Sequence, residues 1–67
     1  MRITVDGTPK DLPAPTTVAD LMEGLGHGPE APVAVAVNGT FVPRSTWAAR
    51  SLAEGDAVEI VAPAQGG

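Results

Sequence analysis

Thr17-Val18-Ala19-Asp20-Leu21-Met22-Glu23-Gly24-Leu25-Gly26 is the stretch on which the fold turns. Val18, Leu21, Met22 and Leu25 recur at i, i+3, i+4 and i+7, one apolar stripe along a helix. Thr17, three residues before Asp20, makes a capping-box variant with its carboxylate at the positive end of the helix dipole. Gly24 costs that helix about 1 kcal/mol relative to alanine, and Gly26 supplies a left-handed stop. A helix this short has no stability of its own, so its stripe must lie on a sheet.

The flanks supply the strands. Before the helix, Met1, Ile3 and Val5 alternate with Arg2, Thr4 and Asp6, the period of a strand buried on one face. Asp6-Gly7 is a tight-turn signal, and Thr8 to Leu12 runs back as a second strand. Pro9 and Pro13 cannot donate to a ladder, which assigns this strand to a sheet edge. Pro13-Ala14-Pro15 then makes an extended connection.

After the helix, residues 26–32 read as a loop. Val33 to Val37 is apolar on both faces, as in a strand covered on both sides. Asn38-Gly39 turns it into Thr40-Phe41-Val42, and Pro43 ends that strand. Arg44 to Trp47 forms a single helical turn with Ser45 as its cap. Glu54-Gly55-Asp56 is a further turn, its two acids capping or solvating it. Ala57 to Ala62 is the last strand, with Val58 and Ile60 inward.

This order is α+β. Only a helix crossing one face of the sheet buries the stripe. Closure sets the first and last strands side by side and parallel in the centre. That is the ubiquitin-like β-grasp: a mixed sheet of four to five strands on one main helix plus a short helical turn. The expected organisation is one domain, 1–62, and a flexible tail, 63–67, ending in Gly-Gly.

Composition narrows the function. Sixty-seven residues without cysteine have neither a disulfide nor a cysteine-based zinc site to reinforce a thin core. Valines, leucines, isoleucines, Phe41 and Trp47 must therefore build it. Eight acidic residues against four basic ones give a net charge of −4, which disfavours nucleic acid and anionic membranes as partners. No apolar run reaches the roughly 20 residues that span a bilayer, and the start of the chain does not read as a secretion signal. A soluble, monomeric, cytoplasmic protein is the expectation.

The side chains offer little catalytic chemistry. His27 is the sole histidine and has no set of metal ligands around it in sequence. Ser45, Thr46 and Ser51 lack a His–Asp arrangement for nucleophilic catalysis. Trp47 reads as core, with its indole N–H reaching a backbone carbonyl. Arg44 either braces the helical turn or pairs with a partner's carboxylate. If the valines of the inner strands face the helix, then Ala34, Ala36, Ala57 and Val61 face outward and form a flat docking patch. The end of the chain, Gln65-Gly66-Gly67, is the most distinctive feature. Two glycines without side chains can thread a narrow channel and present the last carboxylate for chemistry.

Val37-Asn38-Gly39, Val42-Pro43-Arg44-Ser45-Thr46-Trp47, the run from Leu52 to Val61 and the closing Gly66-Gly67 together resemble the ThiS family, the sulfur carriers of thiamine biosynthesis. The resemblance covers the whole chain and is strongest from Val33 onward. It implies a protein cosubstrate and not an enzyme. A ThiF-like adenylyltransferase would use ATP and Mg²⁺ to adenylate the Gly67 carboxylate. A sulfur donor such as a cysteine desulfurase would then convert it to a thiocarboxylate, and a ThiG-like thiazole synthase would receive the sulfur. Gly66 and Gln65 would thread the partner's active site, and this chain would itself bind no cofactor or metal. Two further readings share the fold and the tail: the small subunit of molybdopterin synthase, and a ubiquitin-like protein modifier.

Overall fold

Asp6 and Gly7 both sit at positive φ, 49° and 84°, as do Asn38 and Gly39 at 53° and 80°, in the computed structural model, which describes residues 1–62. Paired positive angles mark the two-residue hairpin whose twist matches its flanking strands, and Asp, Asn and Gly tolerate them best. The first turn joins β1 (Arg2–Val5) to β2 (Thr8–Asp11), and the second joins β3 (Ala34–Val37) to β4 (Thr40–Val42). β5 (Ala57–Val61) runs between the hairpins, parallel to β1 and antiparallel to β3. The order β2-β1-β5-β3-β4 gives a mixed five-stranded sheet with β2, the strand carrying Pro9, at one edge.

The helix α1 (Val18–Gly24) is closed at both ends. The Thr17 hydroxyl accepts from the Asp20 amide at 3.1 Å, and the Asp20 carboxylate accepts from the Thr17 amide at 3.1 Å. The amides of Val18 and Ala19, which have no partner within the helix, donate to the carbonyls of Arg50 (2.9 Å) and Trp47 (3.1 Å). Gly26 at φ 87° reverses the chain, and the amides of Gly26 and His27 return to the carbonyls of Glu23 and Met22. The helix thus stops before Leu25, which sits at the rim, 36% exposed, and not on the buried stripe.

Ile3, Val18, Leu21, Met22, Val35, Val37, Val42, Trp47, Leu52 and Val58 form the core, with Val5, Val33 and Ile60 half-buried around it. Trp47 closes one end, and its indole nitrogen donates to the Val42 carbonyl at 3.0 Å, as its sequence position suggests. Three further expectations need correction. Phe41 is 63% exposed because its neighbour Val42 takes the inward position, and alternation forces Phe41 out. β3 is covered on one face only, leaving Ala34 exposed and Ala36 half-buried. Ser45 caps nothing: the turn Arg44–Thr46 begins one residue earlier, and the Thr46 hydroxyl donates to the Pro43 carbonyl instead.

Candidate functional site: the outer sheet face and the exit of β5

Register sets what the outer face displays. Ala34 lies opposite Val61, and Ala36 lies between Glu59 on β5 and Phe41 on β4. Directly opposed residues share a face, so Phe41, Ala36, Ala34 and Val61 form one apolar strip over three strands. Val61 is 61% exposed, matching Phe41, and the two supply most of the strip's bulk. Ala57 faces the same way but lies beside Thr4, about 13 Å along β5 from Val61 and separated from it by Glu59. The structure therefore brings three of the four expected patch residues together, adds Phe41 and sets Ala57 apart. The signal that would have found Phe41 is alternation from Val42.

Where β5 leaves the sheet, Pro32, Val33, Ala34, Arg44, Val61 and Ala62 line an open depression of about 390 Å³. Arg44 forms one wall and is held in place. Its guanidinium donates to the carbonyls of Pro29, Ala31 and Val33, the last at 2.9 Å, and lies 4.4 Å from the centre of the Trp47 ring. A planar fork with several donors suits this use, and cation–π stacking adds to it. Arg44 thus ties the loop entering β3 to the helical turn, the bracing role left open by sequence.

Two other polar clusters frame the face. Asp56 is 8% exposed; its carboxylate accepts from the Asn38 side-chain amide (2.9 Å) and from the Ala53 backbone (2.8 Å). Asn38 in turn accepts from the Ala57 amide at 2.9 Å, so the second hairpin turn is latched to the start of β5. Glu54 accepts from the Arg2 amide at 3.0 Å. Across β1 and β2, Arg2 and Asp11 form an exposed ion pair at 2.9 Å. Its hydrogen bond and charge hold the Asp11 carboxyl below its ordinary range and raise the Arg2 guanidinium.

His27 lies half-buried on the helix side, lining a separate pocket with Ala19, Glu23, Pro29 and Trp47. Among the described residues, no group of three or more His, Cys, Asp or Glu side chains could share a metal ion. Nor is any helix there long and apolar enough to cross a membrane. Gln65, Gly66 and Gly67, with the rest of the expected tail, lie outside the described residues; Ala62, exposed beside Val61, is the last one described.

A family model described as the ThiS family matches residues 3–67. The chain belongs to the ThiS family. A crystal structure of the thiamine biosynthesis protein ThiS from Geobacter metallireducens superposes with a TM-score of 0.83 at 30% identity, covering 100% of both chains. A solution structure of a thiamine biosynthesis protein from the same organism gives 0.78 at 33% identity, over 100% of this chain and 88% of that one. The β-grasp of this family is thus the fold observed here. A thiazole synthase from Magnetococcus marinus is 43% identical over 61 residues, which is 91% of this chain and 18% of that protein. The chain spans less than a fifth of the length of that curated relative.

Proposed function

We propose that the chain is the sulfur carrier of thiamine biosynthesis, a protein cosubstrate loaded at the carboxylate of Gly67. The observation that carries this reading is a ThiS-family match running to residue 67, so that the family likeness includes the terminal glycines. A counterpart of nearly the whole chain also occurs within a thiazole synthase several times its length, which supports that enzyme class as the sulfur acceptor.

The chemistry follows from the end group. A terminal carboxylate titrates near roughly 3.5 and is ionised at neutral pH. It attacks the α-phosphorus of ATP, pyrophosphate leaves, and an acyl-adenylate forms. Sulfide attacks the acyl carbon, expels AMP and leaves the thiocarboxylate directly. A donor persulfide instead expels AMP to give an acyl-disulfide, from which a second thiol releases the thiocarboxylate as it forms a disulfide with the donor sulfur. ATP, Mg²⁺ and the sulfur donor belong to the ThiF-like adenylyltransferase and desulfurase partners, and the setting is the cytoplasm. Gly66 and Gln65 lead the reacting carbon into the partner's site, where the absence of side chains on Gly66 and Gly67 allows close approach.

The strip of Phe41, Ala36, Ala34 and Val61 is the docking face in this reading, with Arg44 at its border and Ala57 at its periphery. Residues 63–67 extend at most roughly 17 Å, so a partner seated on the strip must hold its active site within that distance of Ala62.

Reconstitution tests the proposal. The chain is incubated with a ThiF-like adenylyltransferase, MgATP and a sulfide source, and its intact mass is measured. An oxygen-to-sulfur exchange at the C-terminus is expected, followed by loss of that sulfur to thiazole synthase. Deleting Gly67 is expected to abolish the exchange and leave the thermal midpoint unchanged, because the described core draws on residues 3–58. A carboxylate left unmodified by a partner that loads its own carrier overturns the reading. Heavier conjugates to lysine would identify a modifier, and transfer to a pterin precursor a molybdopterin synthase subunit.

A further inference from the structure

The hydrogen-bond ladder between β1 and β5 does not end where β1 ends. The Thr4 amide donates to the Asp56 carbonyl at 3.0 Å, and the Asp6 amide donates to the Val58 carbonyl at 2.9 Å. In a parallel pair the next rung would run from the Ile60 amide to the backbone carbonyl of residue 6. At Asp6, however, φ is 49° and the chain has already turned into the hairpin. The Asp6 side chain supplies the missing rung: its carboxylate accepts from the Ile60 amide at 3.0 Å.

We propose that Asp6 is a positioning residue for the loading reaction, acting through β5 to set the direction in which the C-terminal segment leaves the sheet. This inference rests on the sulfur-carrier reading. Among the described residues, Ile60 is the last of β5 held on the β1 side, and beyond it the strand is paired through Val61 with Ala34. Without the Asp6 carboxylate, the described end of β5 would be held on its β3 side alone, and the heading of the strand at Val61 and Ala62 would be less sharply set. Alignment lost before binding must be regained in the complex, which weakens productive capture by the partner. Asp6 thus serves both the turn, which needs a residue tolerant of positive φ, and the exit of the tail.

Two substitutions separate these roles. Asp6→Gly keeps the turn, since glycine adopts positive φ freely, but removes the acceptor. Asp6→Asn keeps both the turn and a side-chain oxygen. Amide exchange at Ile60 should accelerate in D6G and recover in D6N, with Val35 and Val58 unchanged in both. In the reconstituted adenylation assay, kcat/KM should fall roughly three- to tenfold in D6G, mainly through KM, and recover in D6N. Activity in D6G equal to wild type, or a loss of the same size in D6N, overturns the positioning role. A wild-type chain that is never adenylated overturns the carrier reading and this role with it.

Discussion

Asp56→Ala should be among the most damaging single changes outside the apolar core. The carboxylate sits 8% exposed and accepts from two donors, the Asn38 side chain at 2.9 Å and the Ala53 amide at 2.8 Å. Hydrogen bonds to a charged group contribute about 1.5–3 kcal/mol each. Here both Asn38 and Ala53 are exposed residues, so water replaces part of what is lost. The combined cost is therefore about 2–3 kcal/mol, below the roughly 3–6 kcal/mol that two such bonds sum to at full strength. For a domain this small, 1 kcal/mol moves the thermal midpoint by roughly 4–8 °C, so D56A should melt roughly 8–24 °C lower. D56N should fall between, because its amide keeps one acceptor and sets an NH₂ group against one of the donors.

Thermal melts followed by circular dichroism would measure both variants. Asn38→Gly preserves the positive φ of the turn while deleting the latch, so an N38G/D56A double-mutant cycle should return a coupling of about 1 kcal/mol. A D56A midpoint within roughly 3 °C of wild type, or no coupling in the cycle, would refute the view that this carboxylate clamps the second hairpin to β5.

Val61→Asp should leave the melting curve close to wild type, since Val61 is 61% exposed and outside the core, yet slow adenylation at least tenfold; normal loading of a folded V61D protein would remove the strip as a docking face. The Arg2–Asp11 pair gives a pH-dependent prediction. Pairing lowers the Asp11 pKa below its ordinary 3.8, so its contribution is complete above that value and is lost as pH falls through the lower folded value. The small stability difference between wild type and Asp11→Asn should therefore be constant at neutral pH, vanish in strong acid and shrink in high salt. A difference that grew on acidification would contradict that sign.

Much of the fold was legible because short-range rules agree along this chain. Asp6-Gly7 and Asn38-Gly39 carry their own turn geometry, and the Thr17–Asp20 box marks the helix start without reference to anything distant. The outcome was less legible where a residue's role depends on its neighbours across the sheet. Phe41 is large and apolar, and composition alone sends it inward; the pairing of Val42 with Val35 sends it out. Ser45 is a good capping residue by type, but the turn begins before it.

The candidate site divides in the same way. The terminal glycines were visible from residue type, and so was the set of small side chains on alternate strand positions. Their arrangement was not. Ala57 and Val61 look equivalent by periodicity, yet register seats Val61 beside Ala34 and leaves Ala57 next to Thr4. Asp56 reads as an ordinary turn acid until Asn38, 18 residues earlier, is brought against it.

Taken alone, the amino-acid order determined the hairpin turns, the helix and the unadorned C-terminal glycines, because each depends on backbone preference within a few residues. Only tertiary structure decided which apolar groups face water, where Arg44 spends its hydrogen bonds, and how Asp6 and Asp56 hold β5. Those contacts join residues from 11 to 54 positions apart, and side-chain identity carries no record of such distances until strands are paired in register.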